Sequence, residues 1–156
     1  MQKIRELLKR RISKLVIILV VLSFIFNSTS SFYLTVGDSM DPSKKNLRIG
    51  LVDKFFHDDT LPYYGDVIVF YDYIDNDFLI KRVIGLPGDT MQIIDGWIFK
   101  NGDIYIDDFS HINVTDGLTM HPDTLGEKEY WVIGDNRDET WFGVIHESEI
   151  VGKIIF

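Results

Sequence analysis

Short runs of β-branched and aromatic residues, separated by turn sequences, make up most of the chain after Val36. Such runs are typical of strands, and no segment after Val36 keeps a 3.6-residue apolar period for three turns. Asp95-Gly96 and Asn101-Gly102 favour type I′ hairpin turns, because both central residues of that turn need positive φ. They predict a tight meander across residues 91–106. The runs predicted as strands are 67–71, 78–84, 91–94, 97–100, 104–106, 130–133 and 150–155.

Length and composition fit one folded body over residues 37–156. The 156 residues, 46% hydrophobic and 26% charged, suffice for one domain with a core. Residues 107–129 are polar and irregular, which predicts a long loop or a small flap. We therefore expect a mainly β, many-stranded barrel or sandwich-like body. The absence of cysteine excludes disulfides, thiolate metal sites and cysteine nucleophiles.

A basic segment and an apolar run open the chain. Residues 1–14 hold six Lys and Arg residues against one acid, and residues 15–26 are almost wholly apolar. That run is shorter than the roughly 20 residues that span a bilayer, but counting on through hydroxyl and aromatic residues extends it over 15–36. Two alternatives stay open, an uncleaved transmembrane anchor over 15–36 or a signal peptide cut after Ser30. In both, residues 1–14 stay cytoplasmic and the body is exported.

The rest of the chain is acidic. Residues 15–156 carry 10 basic and 23 acidic residues. A body of this charge repels phosphate backbones, so nucleic acid is not an expected partner. The lack of cysteine fits an exported protein of a Gram-positive-type bacterium.

Metal and cofactor sites have little support in the sequence. The four histidines are scattered without HxH or HxxxH spacing, and the acidic clusters 72–77 and 135–138 lack the glycine and final Glu of a calcium loop. Both clusters are expected to be solvated turns. No metal and no cofactor is expected.

One serine and one lysine remain as candidates for catalysis. Ser39 lies in a turn-like sequence, and Lys81 lies inside a predicted strand among apolar neighbours. Since a strand alternates faces, Lys81 and Arg82 point opposite ways and one of them should face inward. Burial lowers the pKa of a lysine below its usual value of about 10.4, and a neutral amine can deprotonate a serine. From spacing alone, a surface lysine and a turn-forming serine are the simpler interpretation.

Three stretches carry a family resemblance: Gly37-Asp-Ser-Met-Asp-Pro42, Ile80-Lys-Arg-Val-Ile-Gly-Leu-Pro-Gly-Asp89 and Gly134-Asp-Asn-Arg137. They resemble successive boxes of type I signal peptidases, which are membrane-bound Ser/Lys endopeptidases that remove signal peptides from exported preproteins. The resemblance covers nearly the whole chain, and the middle stretch is highly specific. It implies a β-rich body, an uncleaved anchor and a single-pass protein of the cell membrane. The implied partners are membrane lipid and preprotein signal peptides with small residues at −1 and −3.

The resemblance also implies roles for individual residues. Ser39 matches the nucleophile and Lys81 the general base. Met40 and Ile80 match positions expected to line the shallow apolar pockets for the −1 and −3 residues. The chemistry implied for such a pair needs neither metal nor cofactor.

The supporting positions depart further from the family. Gly37 lies where the oxyanion is stabilised, and a glycine can offer no side-chain hydroxyl there. Thr140 can stand in for the serine that orients the lysine, but the Asp-Ser-Arg stretch that usually follows is replaced by Trp141-Phe-Gly143. An alternative therefore stays open beside the peptidase. It is a non-catalytic or weakly catalytic membrane-anchored partner that holds exported or pilin-like chains.

Overall fold

The computed structural model describes residues 2–35, 40, 48–53, 61–106, 117–137 and 141–155. In this part of the chain one long helix precedes a body of antiparallel strands. A short 3-10 turn, Glu147–Glu149, joins the last two strands. The remaining elements are α1 (Gln2–Thr29), β1 (Ser30–Thr35), β2 (Arg48–Asp53), β3 (Val67–Asp72), β4 (Asp77–Gly85), β5 (Thr90–Ile94), β6 (Trp97–Lys100), β7 (Asp103–Ile104), β8 (Met120–Thr124), β9 (Glu129–Ile133), β10 (Phe142–His146) and β11 (Ile150–Ile155).

The described strands form two sheets. The larger sheet has the order β1-β2-β11-β3-β4-β9-β10, and the smaller has the order β7-β6-β5-β8. Neighbouring strands pair antiparallel in both sheets. The expectation of a mainly β body is confirmed.

The meander predicted from the two turn dipeptides is confirmed. The φ angles are 49° at Asp95 and 79° at Gly96, and 55° at Asn101 and 90° at Gly102. Asp and Asn tolerate this left-handed region better than other residues with a side chain. As a result β5 pairs with β6, and β6 with β7, through two-residue turns.

Part of the segment predicted as a long loop or small flap over residues 107–129 is an edge strand. Met120–Thr124 pairs with β5 as β8, and residues 107–116 lie outside the described residues. All five of its residues are exposed and Pro122 lies inside it, so its sequence lacks the alternation of a half-buried strand. A proline is tolerated there because β8 is an edge strand of the smaller sheet.

The N-terminal region differs from the predicted anchor over 15–36. The helix α1 ends at Thr29, and Ser30–Thr35 instead pairs with β2 in the larger sheet, so the prediction is wrong for that stretch. The helix side chains from 11 to 24 are exposed. Among the residues described, no helix is both long enough and apolar enough to cross a membrane.

Each face of the larger sheet carries its own apolar cluster at β3. We call the first the lysine-side core, and it contains Ile68, Phe70, Val83, Tyr130, Val132, Ile145 and Ile150. We call the second the Met40 cluster, and it contains Met40, Val52, Val67, Val69 and Ile154. Because side chains of a strand alternate between faces, even-numbered β3 residues point into the first cluster and odd-numbered ones into the second.

Candidate active site

Lys81 lies in β4 with only 3% of its surface exposed. Its direct cross-strand partner is Ile68 of β3, and residues paired in this way point to the same face of a sheet. Ile68 belongs to the lysine-side core. The side chain of Lys81 therefore enters apolar surroundings.

The chemical state of Lys81 follows from this burial. Desolvation lowers the pKa of Lys81 from 10.5 to about 8, because burial disfavours the ammonium form, while the carboxylate of Asp135 acts in the opposite direction. Near pH 8 about half of the molecules then carry a neutral amine, against less than about one in a hundred for an ordinary lysine. A neutral amine of this kind can accept a proton from a hydroxyl group.

Arg82 points to the opposite face of β4 and is also buried. Its Nε donates to Oδ1 of Asp135 at 2.7 Å and its Nη2 donates to Oδ2 at 2.6 Å. Its Nη1 donates to the carbonyl oxygen of Gly65 at 2.6 Å. The predicted alternation of Lys81 and Arg82 is therefore correct, but both residues face inward because the sheet is covered on both faces at this point.

One carboxylate in each acidic cluster is buried, unlike the solvated turns that the sequence predicts. Asp135 is only 1% exposed and Asp72 7%, whereas residues 73–77 are exposed as predicted. Asp72 accepts a hydrogen bond from the N–H of Ile74 at 2.8 Å and so closes the β3–β4 turn. No three His, Asp or Glu side chains of the described residues lie together as metal ligands would.

The turn after β4 is held by Asp89. One carboxylate oxygen accepts the N–H of Leu86 at 2.8 Å and contacts Nζ of Lys100 at 2.8 Å, and the other accepts Nδ2 of Asn101 at 2.8 Å. Burial alone would raise the pKa of Asp89, but these hydrogen bonds and the charge of Lys100 outweigh it, so the pKa is lowered. These contacts fix the end of β4 against the smaller sheet.

The first half of β4 has one edge that β9 does not cover. The pairing of β4 with β9 runs from Arg82 to Gly85, whereas β4 itself begins at Asp77. The backbone of β4 from Asp77 to Lys81 pairs with β3 on one side and lies beyond the pairing with β9.

The other residues proposed for the site divide into two groups. Met40 is buried, at 6% exposure, and Ile80 packs as a half-buried residue against the same Met40 cluster, so the structure brings these two together on the face opposite Lys81. Ser39, Gly37 and Thr140 lie outside the described residues. Arg82 and Asp135 are the buried charges that sequence reasoning passed over, and the alternation around Lys81 was the signal that could have found the first.

The chain matches one family model over residues 5–156, described as signal peptidase, peptidase S26. The chain belongs to this family. Among similar relatives of this S26 peptidase, signal peptidase I V of Bacillus subtilis (strain 168) is 35% identical over 138 residues, covering 78% of this chain and 82% of the relative. Signal peptidase IB of Staphylococcus aureus (strain Mu50 / ATCC 700699) is 29% identical over 172 aligned positions, covering 97% and 89%.

A solved structure was also found. The crystal structure of a signal peptidase I from Enterococcus faecalis V583 is 26% identical, covers 62% of this chain and 98% of that one, and has a TM-score of 0.49. Membership of the S26 family supports a peptidase whose substrates are the signal peptides of preproteins.

Proposed function

We propose that this S26 peptidase is a membrane-attached serine endopeptidase that removes signal peptides with Ser39 as nucleophile and Lys81 as general base. The observation that carries the proposal is the burial of Lys81 on β4, in apolar surroundings that lower its pKa to about 8. Buried lysines with so low a pKa are rare, because desolvation of an ammonium group is costly. Such a lysine has the property that serine activation requires.

The reaction would run through an acyl-enzyme. Oγ of Ser39 attacks the carbonyl carbon of the scissile bond while its proton passes to the neutral amine of Lys81. The tetrahedral intermediate collapses, and the leaving amine of the mature protein takes that proton from the Lys81 ammonium. Water then attacks the ester and gives a proton to Lys81. The bond between Oγ of Ser39 and the acyl carbon breaks, Oγ takes that proton from the Lys81 ammonium, and the signal peptide leaves with a free carboxyl group. Backbone N–H groups at Gly37 and Ser39 are the expected oxyanion donors, and Thr140 is the expected orienting hydroxyl.

Substrate recognition fits the same stretch of β4. An extended signal peptide that lies along β4 between Asp77 and Lys81 would bring its scissile bond alongside the base. Met40 and Ile80 already share an apolar cluster. Pockets lined by such side chains favour small apolar residues at −1 and −3.

Membrane attachment is proposed for the N-terminal helix. The apolar side chains over 15–24 are exposed, and the basic residues of segment 1–14 suit an anionic inner membrane surface. We expect the full chain to stay with membranes after alkaline carbonate washing, and N-terminal sequencing of that material to find residues before Leu15. A mature chain that starts at Ser31 would contradict an uncleaved anchor and support signal peptide removal instead.

Cleavage and its pH dependence test the proposal together. Purified protein in detergent, incubated with a preprotein, should release two products whose masses place one cut after a small-x-small sequence. Because Lys81 must be neutral to act as a base, the rate per enzyme should rise with pH through about 8, the pKa of Lys81. At pH 7 only about a tenth of the enzyme would carry the neutral amine. The Ser39→Ala variant is the control for contaminating proteases.

Two results would count against this proposal. A rate that peaks in acid, or stays flat from acid to alkaline pH, would exclude a lysine base. An intact preprotein that remains bound would favour the alternative of a non-catalytic partner for exported or pilin-like chains.

A further inference from the structure

Trp141 has an unusual position next to the strands that carry the candidate base. Its ring centroid lies 5.7 Å from that of Phe70 on β3. The ring also rests on Gly143 of β10, where an added Cβ would lie 3.1 Å from Cη2 and Cζ2 of Trp141. Glycine at position 143 therefore leaves room for the indole. The side chain keeps 40% of its surface exposed.

The two contacts of Trp141 show which face of the sheet it covers. Gly143 pairs with Val132 of β9, which pairs with Val83 of β4, so these three residues share one face. Phe70 lies on the same face, since it belongs with Val83 and Val132 to the lysine-side core. This is also the face of Lys81, because Lys81 pairs with Ile68 of that core.

The ring also bridges a wide interval of the sheet. The strand order β3-β4-β9-β10 places three strand spacings between Phe70 and Gly143, which is about 14 Å in a flat sheet. The side chains of Phe70 and Trp141 together span this interval, so the indole lies over the face of β4 and β9 between Phe70 and Gly143. This is the face that holds Lys81.

We propose that Trp141 is a positioning residue that covers this face of the sheet against water and keeps the amine of Lys81 desolvated. The inference rests on the proposed function insofar as Lys81 is the base. Trp141 begins the Trp141-Phe-Gly143 sequence that replaces the Asp-Ser-Arg stretch of the family, and the proposal gives this tryptophan a supporting role of its own. An aromatic ring suits the role because it excludes water over a large area with few rotatable bonds.

The charged groups around Lys81 do not account for its lowered pKa. Asp66 precedes β3 and is paired with Lys153 of β11 at 2.5 Å, so these two charges offset each other. Asp135 follows β9 and is paired with Arg82, and its charge raises the pKa of Lys81 against the larger effect of burial. Tyr130 of β9 has a pKa raised by burial and by the charge of Glu147. Desolvation is the largest influence on the pKa of Lys81, and it is the one that the Trp141 ring can change.

The direct test is the acylation of Lys81 as a function of pH. The full chain in detergent is treated briefly with acetic anhydride across pH 6–11, and acetylation of the Lys81 peptide is measured by mass spectrometry. Wild type should show a midpoint near 8. Trp141→Ala should move the midpoint upward by about one pH unit, because water then solvates the ammonium. Trp141→Phe should keep it close to wild type.

Matched variants show whether a change in the acylation midpoint of Lys81 comes from Trp141 itself or from the loss of any exposed tryptophan. Trp97→Ala removes a tryptophan of similar exposure, 48%, from the smaller sheet and should leave the midpoint unchanged. If Trp141→Ala does not fold, as judged by thermal melting, Gly143→Val displaces the ring instead and should shift the midpoint in the same direction. A midpoint in Trp141→Ala or Gly143→Val equal to that of Trp97→Ala overturns the proposal.

Cleavage rates give a second, separate readout. Trp141→Ala should cleave about tenfold more slowly than wild type at pH 7 and approach the wild-type rate at pH 10, since only the ionisation of Lys81 has changed. If the wild type cleaves no preprotein, the proposed function fails, yet the acylation midpoints still decide the role of Trp141. If Trp141→Ala loses activity equally at every pH, Trp141 acts by contact or structure and not by desolvation.

Discussion

Replacing Lys81 with Met should abolish cleavage and, at the same time, stabilise the fold at neutral pH. The pKa of Lys81 is about 8 in the folded protein and 10.5 without burial. Between these values the folded state binds fewer protons than the unfolded state, so stability rises with pH across this window. Below pH 8 the folded protein bears the full cost of a buried ammonium, which the shift puts at roughly 3 kcal/mol. A methionine side chain at this position keeps most of the apolar stem without that cost.

Urea denaturation at two pH values measures this effect. At pH 7 the Lys81→Met variant should gain up to about 3 kcal/mol of unfolding free energy, and the gain should shrink above pH 10, where the wild-type amine is neutral. Lys128→Met is the control, because the side chain of Lys128 is 61% exposed and its loss should leave stability nearly unchanged. Equal stabilisation at pH 7 and above pH 10 would mean that Lys81 carries no desolvation penalty.

The catalytic half of this prediction concerns two residues that act as one unit. Ser39→Ala and Lys81→Met should each remove cleavage, and the double variant should be no worse than either single one. Additive losses, or wild-type cleavage by Lys81→Met, would show that another base does the work. If both single variants still support the process in cells, the non-catalytic alternative takes precedence.

The sequence predicted those strands that have an apolar pattern or a characteristic turn dipeptide of their own. The turns at Asp95-Gly96 and Asn101-Gly102 need positive φ, which few sequences other than these permit, so the meander could be placed from the chain alone. The strand β8 could not be predicted in this way, because all its residues are exposed and it forms by backbone pairing with β5, without an apolar pattern. The same holds for β1, which continues a helix and becomes a strand by pairing with β2.

The candidate site shows the same division. Alternation along β4 correctly placed Lys81 and Arg82 on opposite faces, but only the sheet topology shows that both faces are covered. The pairing of Arg82 with Asp135 joins residues 53 positions apart, and nothing in the local sequence of 135–138 distinguishes a buried carboxylate from a solvated one. Long-range partners of this kind require the fold.

The buried pair of Arg82 and Asp135 leads to the second large prediction. Arg82→Met leaves the Asp135 carboxylate, 1% exposed, without its bidentate partner. Breaking one side of a buried pair costs about 3–5 kcal/mol, whereas replacing both charges with apolar residues is often neutral. Arg82→Met should therefore lower the unfolding free energy by that amount, and Arg82→Met with Asp135→Leu should recover most of it. Lys153→Met, which breaks the more exposed pair with Asp66, should cost no more than about 1 kcal/mol.

The same variants should move the pH profile of Lys81 in opposite directions. Asp135 already raises the pKa of Lys81, against the larger effect of burial. Without Arg82 its charge is uncompensated, so the pKa of Lys81 should rise and cleavage should begin at higher pH. In the double variant that carboxylate is gone, so the pKa should fall below the wild-type value and cleavage should begin at lower pH. Profiles of the single and double variants that coincide with wild type would mean that the pair only stabilises the fold and does not tune the base.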